Sequence, residues 1–198
     1  MFVATRESAC KKKEGQKIQD LKELRSVLLD GGTIAYPTES IYGLGCDPKN
    51  EAAVNKLLSI KNRSFDMGLI LLGSSTRGID NWLKISNQQL QTLQMPTNKP
   101  TTYLVPATEE APRWITGKHS SLALRISTMP IIKALNEMLG CPIVSTSANK
   151  HGKRPLRTKE EVQKEFSGAL DYIVEGDCGG FIKPSTIIDI VTGKEIRP

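Results

Sequence analysis

The chain has 198 residues, of which 38% are apolar and 24% are charged, and its formal net charge is +6. This length allows one domain with a sizeable core, and the composition excludes a disordered or fibrous protein. The longest apolar run, Leu69–Leu72, is far too short to cross a membrane. The positive charge favours an anionic partner such as a nucleotide or RNA, although a solvated basic surface would give the same charge.

The first part of the chain alternates helix and strand signals. Residues 1–15 are polar and rich in Lys, which predicts a flexible basic N-terminal tail without a secretory signal. Helical spacing of apolar residues predicts a helix over 16–30, ended by Gly31-Gly32. A strand over 33–36 follows, then a helix over 50–60 with Asn50 as its N-cap and a buried strand over 68–73.

The loop after the strand over 33–36 is the most informative stretch. Pro37 cannot donate a ladder hydrogen bond and should break the strand. Hydroxyls and a carboxylate follow at 38–42, and Gly43 and Gly45 then allow positive φ or a close backbone approach. Open α/β sheets place ligands where a strand ends in such a loop, although ordinary turns have a similar composition.

The rest of the chain continues the mixed pattern. We predict a helix over 86–93, strands over 101–106 and 121–127, a helix over 129–139 ended by Gly140, and a strand over 142–146. Thr158 and Glu161 form a capping box for a helix to about residue 166, before strands over 172–174 and 185–191 and a short strand to Arg197. Glycine-rich residues 176–180 predict a mobile loop. With no repeats and no linker, residues 1–198 should form one α/β domain with a twisted, mixed (parallel and antiparallel) sheet and flanking helices.

Hydroxyl groups concentrate where predicted strands end. These positions are Thr38–Ser40, Ser145–Ser147 with Asn149, and Ser185-Thr186. The cations that accompany them are Lys61, Arg63, Arg125 and Arg197. Hydroxyls with Lys and Arg suit an anionic ligand. Two of these cations also have explanations that involve no ligand. Lys61 at an exposed helix C-terminus is favourable because of the helix dipole alone. An Arg in a strand, such as Arg125, is more often a solvated edge residue.

Several common catalytic sites are absent from the sequence. Neither of the two histidines lies beside a candidate nucleophile, and no paired-carboxylate site or glycine-rich nucleotide fingerprint occurs. The four cysteines are scattered without a C-x-x-C pair, which disfavours a metal held by protein side chains and fits a reduced, cytoplasmic setting. These absences favour chemistry by positioning and charge neutralisation, as in nucleotidyl transfer.

Four motifs occur together and in order along the chain. They are Pro37-Thr38-Glu39-Ser40-Ile41-Tyr42-Gly43-Leu44-Gly45, Lys61-x-Arg63, Ser145-Thr146-Ser147-Ala148-Asn149 and Pro184-Ser185-Thr186. In order and spacing, from about residue 16 to the end, the sequence resembles the short, single-domain form of the YrdC/TsaC family of threonylcarbamoyl-AMP synthases. The resemblance implies a YrdC-like fold with a concave positive cleft.

The resemblance also implies an activity. Members of this family make L-threonylcarbamoyl-AMP from L-threonine, bicarbonate (or CO₂) and ATP, and they release pyrophosphate. The product serves the threonylcarbamoyladenosine modification of tRNA next to the anticodon. Mg²⁺ with ATP is the implied cofactor, and threonylcarbamoyl-transferase proteins that take the product are the implied partners. Direct binding of tRNA is allowed, and no membrane is involved.

Site roles follow from the resemblance position by position. Lys61 and Arg63 are implied to be catalytic, because they would bind phosphate and stabilise charge on the leaving pyrophosphate. The implied threonine contacts are Thr38, Arg125, Ser145 and Ser185, with Arg125 holding the carboxylate. The implied nucleotide contacts are Lys61, Arg63, Thr102, Ser147, Asn149 and Arg197.

Two other classes of function stay open at this point. A non-catalytic double-stranded RNA/tRNA-binding module would also use a basic, concave surface. An inactive relative is the other, and its only support is that Thr97-Asn98-Lys99-Pro100 departs from the Trp-Pro-Gly-Pro of many family members. His151-Gly152 also departs from the Ser-Gly of relatives, which implies a different triphosphate neighbourhood. The combination of Thr38, Arg125 and Ser185 favours the synthase, since an RNA binder does not need an amino-acid pocket.

Overall fold

The computed structural model describes residues 19–150, 152–181 and 185–197. The predicted tail over 1–15, His151 and Pro184 lie outside these ranges. The helices are α1 (19–29), α2 (Glu51–Lys61), α3 (Asn87–Gln94), α4 (Arg113–Thr116), α5 (Pro130–Leu139) and α6 (Lys159–Glu165), with 3₁₀ turns at Phe65–Met67 and Asp80–Trp82. The strands are β1 (Ile34–Pro37), β2 (Tyr42–Gly45), β3 (Ile70–Gly73), β4 (Thr101–Pro106), β5 (Ser121–Ile126), β6 (Ile143–Ser147), β7 (Tyr172–Ile173), β8 (Thr186–Asp189) and β9 (Glu195–Arg197).

Among the described residues the strands form one sheet of nine, in the order β7-β1-β2-β6-β3-β5-β4-β8-β9. The pairs β1/β7, β3/β5 and β4/β8 are parallel, and the remaining neighbours are antiparallel. The short β1–β2 and β8–β9 connections require antiparallel neighbours, whereas parallel pairs need longer crossovers. The predicted single α/β domain with a mixed sheet and flanking helices is therefore confirmed for the described part of the chain.

Two apolar layers cover the two faces of the sheet. In the first, Leu122 and Leu124 of β5 pack in one cluster with Leu57 of α2 and Ile115 of α4. In the second, residues of α1 and α5 cover positions such as Leu72 of β3. Each such fully buried side chain contributes roughly 1.5–3 kcal/mol relative to an exposed one. Because side chains alternate along a strand, polar residues on the second face can lie beside α1 and α5 without entering the first layer.

The structure corrects the predicted loop after Pro37. Pro37 is the last residue of β1, and residues 42–45 form β2, which pairs with β1 and with β6. Neither Gly43 nor Gly45 has positive φ. A Cβ at Gly45 would overlap the Val144 carbonyl oxygen, so the alternative prediction of close backbone approach is confirmed. The apolar pattern missed β2 because two of its four residues are glycines that strand preferences disfavour.

The predicted helix ends are largely confirmed. The Asn50 side chain accepts from Ala53 N at 3.0 Å, and the Thr158–Glu161 capping box is present. Gly31 and Gly140 follow α1 and α5 with φ of 80° and 68°, as C-terminal caps require. The short helix α4 was not predicted, since one helical turn carries no clear periodicity.

Candidate active site

Neighbouring strands bring several predicted site residues onto one face of the sheet. Arg125 of β5 pairs with Leu72, and Ser145 of β6 pairs with Ile70. Positions 70 and 72 point to the same side, which is the side that α1 and α5 cover in part. Thr102 lies on this side as well, because its neighbour Tyr103 faces the first layer. The pairing of these strands therefore places Arg125, Ser145 and Thr102 on the same face of the sheet, beside the second apolar layer.

Gly43 leaves room where three side chains converge. A Cβ at Gly43 would lie 3.3 Å from Thr38 Cγ2, 3.4 Å from Ser145 Oγ and 3.4 Å from the Tyr36 ring. Thr38 and Ser145, which are far apart in sequence, are thus neighbours beside Gly43 of β2. Their shared role in binding threonine stays a prediction.

Arg125 is held by an ion pair inside the structure. Its Nη2 atom donates to Glu39 Oε2, and the two side chains are only 13% and 17% exposed. Arg125 Nε is buried, with no hydrogen-bond partner among the described residues. β5 lies between β3 and β4 in the sheet, so the general expectation of a solvated edge residue is wrong here.

The turn that carries Glu39 is fixed by a segment that we call the strap, residues 174–181. Thr38 N and Oγ1 bond to Ile41 O at 3.0 and 2.8 Å, which closes the turn. The strap donates from Gly179 N to Thr38 O at 2.9 Å and from Phe181 N to Glu39 O at 3.2 Å. The predicted mobility of residues 176–180 stays a prediction, but these bonds place the strap against the turn.

Tyr42 anchors the other end of the strap. Its hydroxyl donates to the Val174 and Gly176 carbonyl oxygens at 3.1 and 2.8 Å. Burial raises the pKa of Tyr42 to about 12, so the phenol keeps its donor proton at neutral pH. The anchoring role was not visible in the sequence, where Tyr42 was one hydroxyl among several.

Lys61 is buried, which corrects the expectation of an exposed helix end. It is 8% exposed, and its Nζ donates to Ser147 O at 2.7 Å, to Asn149 Oδ1 at 2.9 Å and to Asn149 O. Burial and the neighbouring Arg63 charge lower the pKa of Lys61 to about 8. The C-terminus of α2 lies beside the last residue of β6. Lys61 therefore connects the Lys61-x-Arg63 motif with the motif that contains Ser147 and Asn149.

Arg63 lies on the other side of the helix cap. Asn62 adopts the left-handed conformation, and Arg63 then donates from Nη2 to Gly68 O at 2.9 Å. Its Nε atom is buried without a partner in the described part of the chain, and burial lowers the pKa of the guanidinium. The two cations of the Lys61-x-Arg63 motif are therefore close enough to interact but are held by different acceptors.

A third polar cluster joins residues with different predicted roles. Thr102 Oγ1 and Ser185 Oγ are 2.9 Å apart and buried. Arg197 donates from Nη2 to Ser185 O at 2.8 Å. The resemblance assigns Ser185 to threonine but Thr102 and Arg197 to the nucleotide. Their contact is compatible with a boundary between two ligands.

Several site features remain predictions. Two surface depressions, of about 670 and 450 Å³, lie along α2, and of the predicted residues only Arg63 lines either one. They do not test the concave positive cleft. In residues 19–150, 152–181 and 185–197 no group of three or more His, Cys, Asp or Glu is placed to hold a metal ion. Within these same ranges no helix is long and apolar enough to span a bilayer.

Sequence reasoning missed the partnership of Glu39 with Arg125. Glu39 was noted only as a carboxylate among the hydroxyls of its loop. The available signal was the negative charge of Glu39 in a segment otherwise suited to bind anions. Such a carboxylate would repel an anionic ligand unless a nearby cation balanced it. Finding that cation required the pairing of β3 with β5 and β6, which no local pattern contains.

Known proteins resemble this chain over most of its length. The Sua5/YciO/YrdC family model, described as telomere recombination, matches residues 26–198. The threonylcarbamoyl-AMP synthase of Xanthomonas campestris pv. campestris (strain B100) is 40% identical over 181 residues, which cover 90% of this chain and 97% of that protein.

Solved structures agree with this result. P. abyssi Sua5 complexed with L-threonine superposes with a TM-score of 0.79 at 28% identity, over 88% of this chain and 52% of that one. The chain thus spans about half the length of that protein. E. coli YciO superposes with a TM-score of 0.70 at 25% identity, over 90% of each chain.

Proposed function

The chain belongs to the Sua5/YciO/YrdC family, and from this we propose that it is an L-threonylcarbamoyladenylate synthase. It would join L-threonine, bicarbonate and ATP into threonylcarbamoyl-AMP and release pyrophosphate. The observation that carries the proposal is the convergence of Arg125, Thr38 and Ser145 on one face of the sheet. An arginine among hydroxyls suits an amino acid that carries both a carboxylate and a hydroxyl.

The chemistry needs positioning more than a protein nucleophile. Bicarbonate takes up a proton and loses water to give CO₂, and the threonine ammonium loses a proton to give the amine. The amine adds to CO₂, which gives a carbamate and releases a second proton. A carbamate oxygen then attacks the α-phosphorus of ATP, and the bond from that phosphorus to the bridging oxygen of pyrophosphate breaks. In this scheme Arg125 holds the threonine carboxylate, and Thr38, Ser145 and Ser185 surround the amino acid. Holding the reactants in contact supplies much of the rate enhancement.

Lys61 and Arg63 are proposed to stabilise the charge that develops on pyrophosphate. Their chemistry fits, since both are cations that burial surrounds with a medium of low polarity, where charge interactions are strong. Lys61 already donates to three oxygen atoms, so direct contact with a phosphate requires the exchange of one of these bonds. Asn149 supplies two of the acceptors and is the partner that we expect to yield.

The nucleotide is proposed to lie toward Thr102, Ser147, Asn149 and Arg197. Mg²⁺ would enter with ATP, as part of the substrate, and would offset the negative charge of the phosphates with few protein ligands. The product is a reactive mixed anhydride. Proteins that transfer the threonylcarbamoyl group to tRNA next to the anticodon are therefore the proposed consumers, and tRNA itself is a proposed further contact.

We also propose a cytoplasmic location. Cys46, Cys141 and Cys178 are free thiols, which a reducing compartment preserves. The proposed use of the product in tRNA modification points to the same compartment.

Release of pyrophosphate tests the proposed function directly. Purified protein with ATP, Mg²⁺, bicarbonate and L-threonine should release pyrophosphate, and leaving out any one substrate should abolish the release. L-Serine, which lacks the methyl group, should be a weaker substrate. No release from a folded protein, together with RNA binding that weakens steeply with salt, would contradict the synthase and support the RNA-binding module.

A further inference from the structure

The ion pair between Glu39 and Arg125 gives the candidate amino-acid pocket a particular charge pattern. Arg125 is not a lone cation, because the Glu39 carboxylate already balances it at hydrogen-bond range. Both side chains are mostly buried, at 13% and 17% exposed, so water screens the pair weakly. An incoming ligand therefore meets a dipole with a positive and a negative end, and the pair itself carries no net charge.

Both ends of this dipole are held in place. Arg125 projects from β5 in the interior of the sheet order. Glu39 lies on a closed turn whose backbone oxygen accepts from Phe181 of the strap at 3.2 Å. If a ligand carboxylate displaced Glu39, a mostly buried carboxylate would be left without its counterion, which is strongly unfavourable. The arrangement favours ligands that bind with the pair intact.

Each member of the pair retains capacity for a second partner. The guanidinium has five N–H donors, of which Nη2 serves Glu39 and Nε has no partner among the described residues. A carboxylate has two oxygens with about four acceptor positions, and Arg125 uses Oε2. A ligand carboxylate can therefore share Arg125 while a ligand cation shares Glu39.

We propose that Glu39 binds the ammonium group of the amino-acid substrate while Arg125 binds its carboxylate. The pair then selects zwitterions and rejects carboxylic acids that lack an amine, because a net anion gains little from a neutral pair and is repelled by Glu39. Glu39 is thus a specificity-determining residue of the pocket. In naming threonine as the amino acid, this inference rests on the proposed function.

The test compares L-threonine with 3-hydroxybutanoate, which is threonine without its amine. Titration calorimetry should show that wild-type protein binds threonine and prefers it to 3-hydroxybutanoate by at least 100-fold. Glu39→Gln keeps the size of the side chain and removes its charge. This variant should bind threonine at least tenfold more weakly and should bind 3-hydroxybutanoate better than wild type does, because Arg125 then lacks its counterion.

A matched control separates this effect from a general change of charge. Glu175→Gln removes a carboxylate that lies on the strap but is 84% exposed and pairs with Lys159, so both affinities should stay within twofold of wild type. Binding of Mg·ATP by Glu39→Gln should also be unchanged, which shows that the variant is folded.

The opposite role for Glu39 gives the opposite result. If Glu39 merely occupied Arg125 and competed with the ligand, Glu39→Gln would bind threonine as tightly as wild type or more tightly, and the proposal would be overturned.

The proposed function can fail separately from the proposal about Glu39. Wild-type protein that binds threonine with the stated preference but never releases pyrophosphate would refute the synthase and leave the zwitterion site standing. Threonine-dependent release of pyrophosphate with an unchanged threonine KM in Glu39→Gln would support the synthase and refute the proposed role of Glu39.

Discussion

Lys61 keeps its charge inside the protein because three oxygen atoms surround its ammonium group. Burial alone would favour the neutral amine, and it lowers the pKa of Lys61 to about 8, yet the group remains mostly protonated at neutral pH. Two of these bonds, to the Ser147 and Asn149 carbonyl oxygens, hold the backbone of residues 147–149 as it leaves β6. A residue with a proposed role in charge stabilisation therefore also holds the site together.

Replacing Lys61 by Ala should damage both activity and stability. The variant leaves the Ser147 and Asn149 oxygen atoms without their buried donor, which costs about 1–3 kcal/mol. Pyrophosphate release should fall at least 100-fold, because the leaving group loses its cation. Urea unfolding and a pyrophosphate assay on the same preparation measure the two effects.

Lys56→Ala is the matched control on the same helix. Lys56 is 44% exposed and forms a surface ion pair with Asp171, so its loss should cost about 0–1 kcal/mol and leave activity unchanged. Wild-type stability in Lys61→Ala would contradict the structural role, whereas wild-type turnover would contradict the phosphate role.

At the scale of elements, the strap positions the turn that carries Thr38 and Glu39. It reaches that turn through backbone hydrogen bonds and through the Tyr42 hydroxyl, all of which depend on close approach. Gly179 makes this approach feasible, because a Cβ there would lie 2.7 Å from Glu39 O. A Cβ at the neighbouring Gly180 would meet no other atom within 4 Å.

These adjacent glycines provide a sharp test of the strap. Gly179→Ala should push the strap off the turn and raise the threonine KM at least fivefold, with little change in the ATP KM, since the nucleotide is proposed to lie elsewhere. Gly180→Ala should leave both constants unchanged. Steady-state pyrophosphate release at varied threonine and ATP measures them. Equal effects of the two variants would show that the approach at Gly179 does not position the pocket.

At the scale of the whole molecule, the first apolar layer encloses two thiols, Cys46 and Cys141, whose ionisation is disfavoured by burial. Burial raises the pKa of the Cys46 thiol well above its usual range and raises the pKa of Cys141 to about 11. For an acid whose pKa is higher in the folded protein, the stabilising contribution is complete below the unfolded pKa and is lost as pH rises above it. Lys61 acts with the opposite sign, because its pKa is lowered.

Cys46→Ala should therefore alter the alkaline stability profile. The unfolded thiol ionises near pH 8.5, so wild type should lose about 2 kcal/mol between pH 8 and 10 that the variant does not lose. The gap in free energy of unfolding between wild type and variant should narrow by that amount, and the comparison cancels the contribution of Lys61. Urea unfolding at both pH values measures the gap. Cys178→Ala, at a partly exposed position, should show a smaller change, and a constant gap for Cys46→Ala would refute the linkage.

Much of the fold was predictable because its determinants are local. Apolar spacing and capping residues defined α2, α3, α5 and α6, and alternation placed Arg125 opposite Leu122 and Leu124. The hairpin of β1 and β2 was not predictable, because Gly43 and Gly45 are unfavourable in strands by themselves. At Gly45, the close approach of the Val144 carbonyl oxygen and the Tyr36 ring explains why glycine is required.

For this protein the sequence alone determined the element types, the mixed α/β class and, through four motifs in order, the family. These depend on residue type and spacing, which are properties of the chain itself. Tertiary structure decided which cation meets which oxygen. Arg125 contacts Glu39, Lys61 contacts Ser147 and Asn149, and Thr102 contacts Ser185 because strands, turns and a helix that are far apart in sequence become neighbours. Electrostatic interactions depend on distance and burial, and both are set only when the sheet assembles.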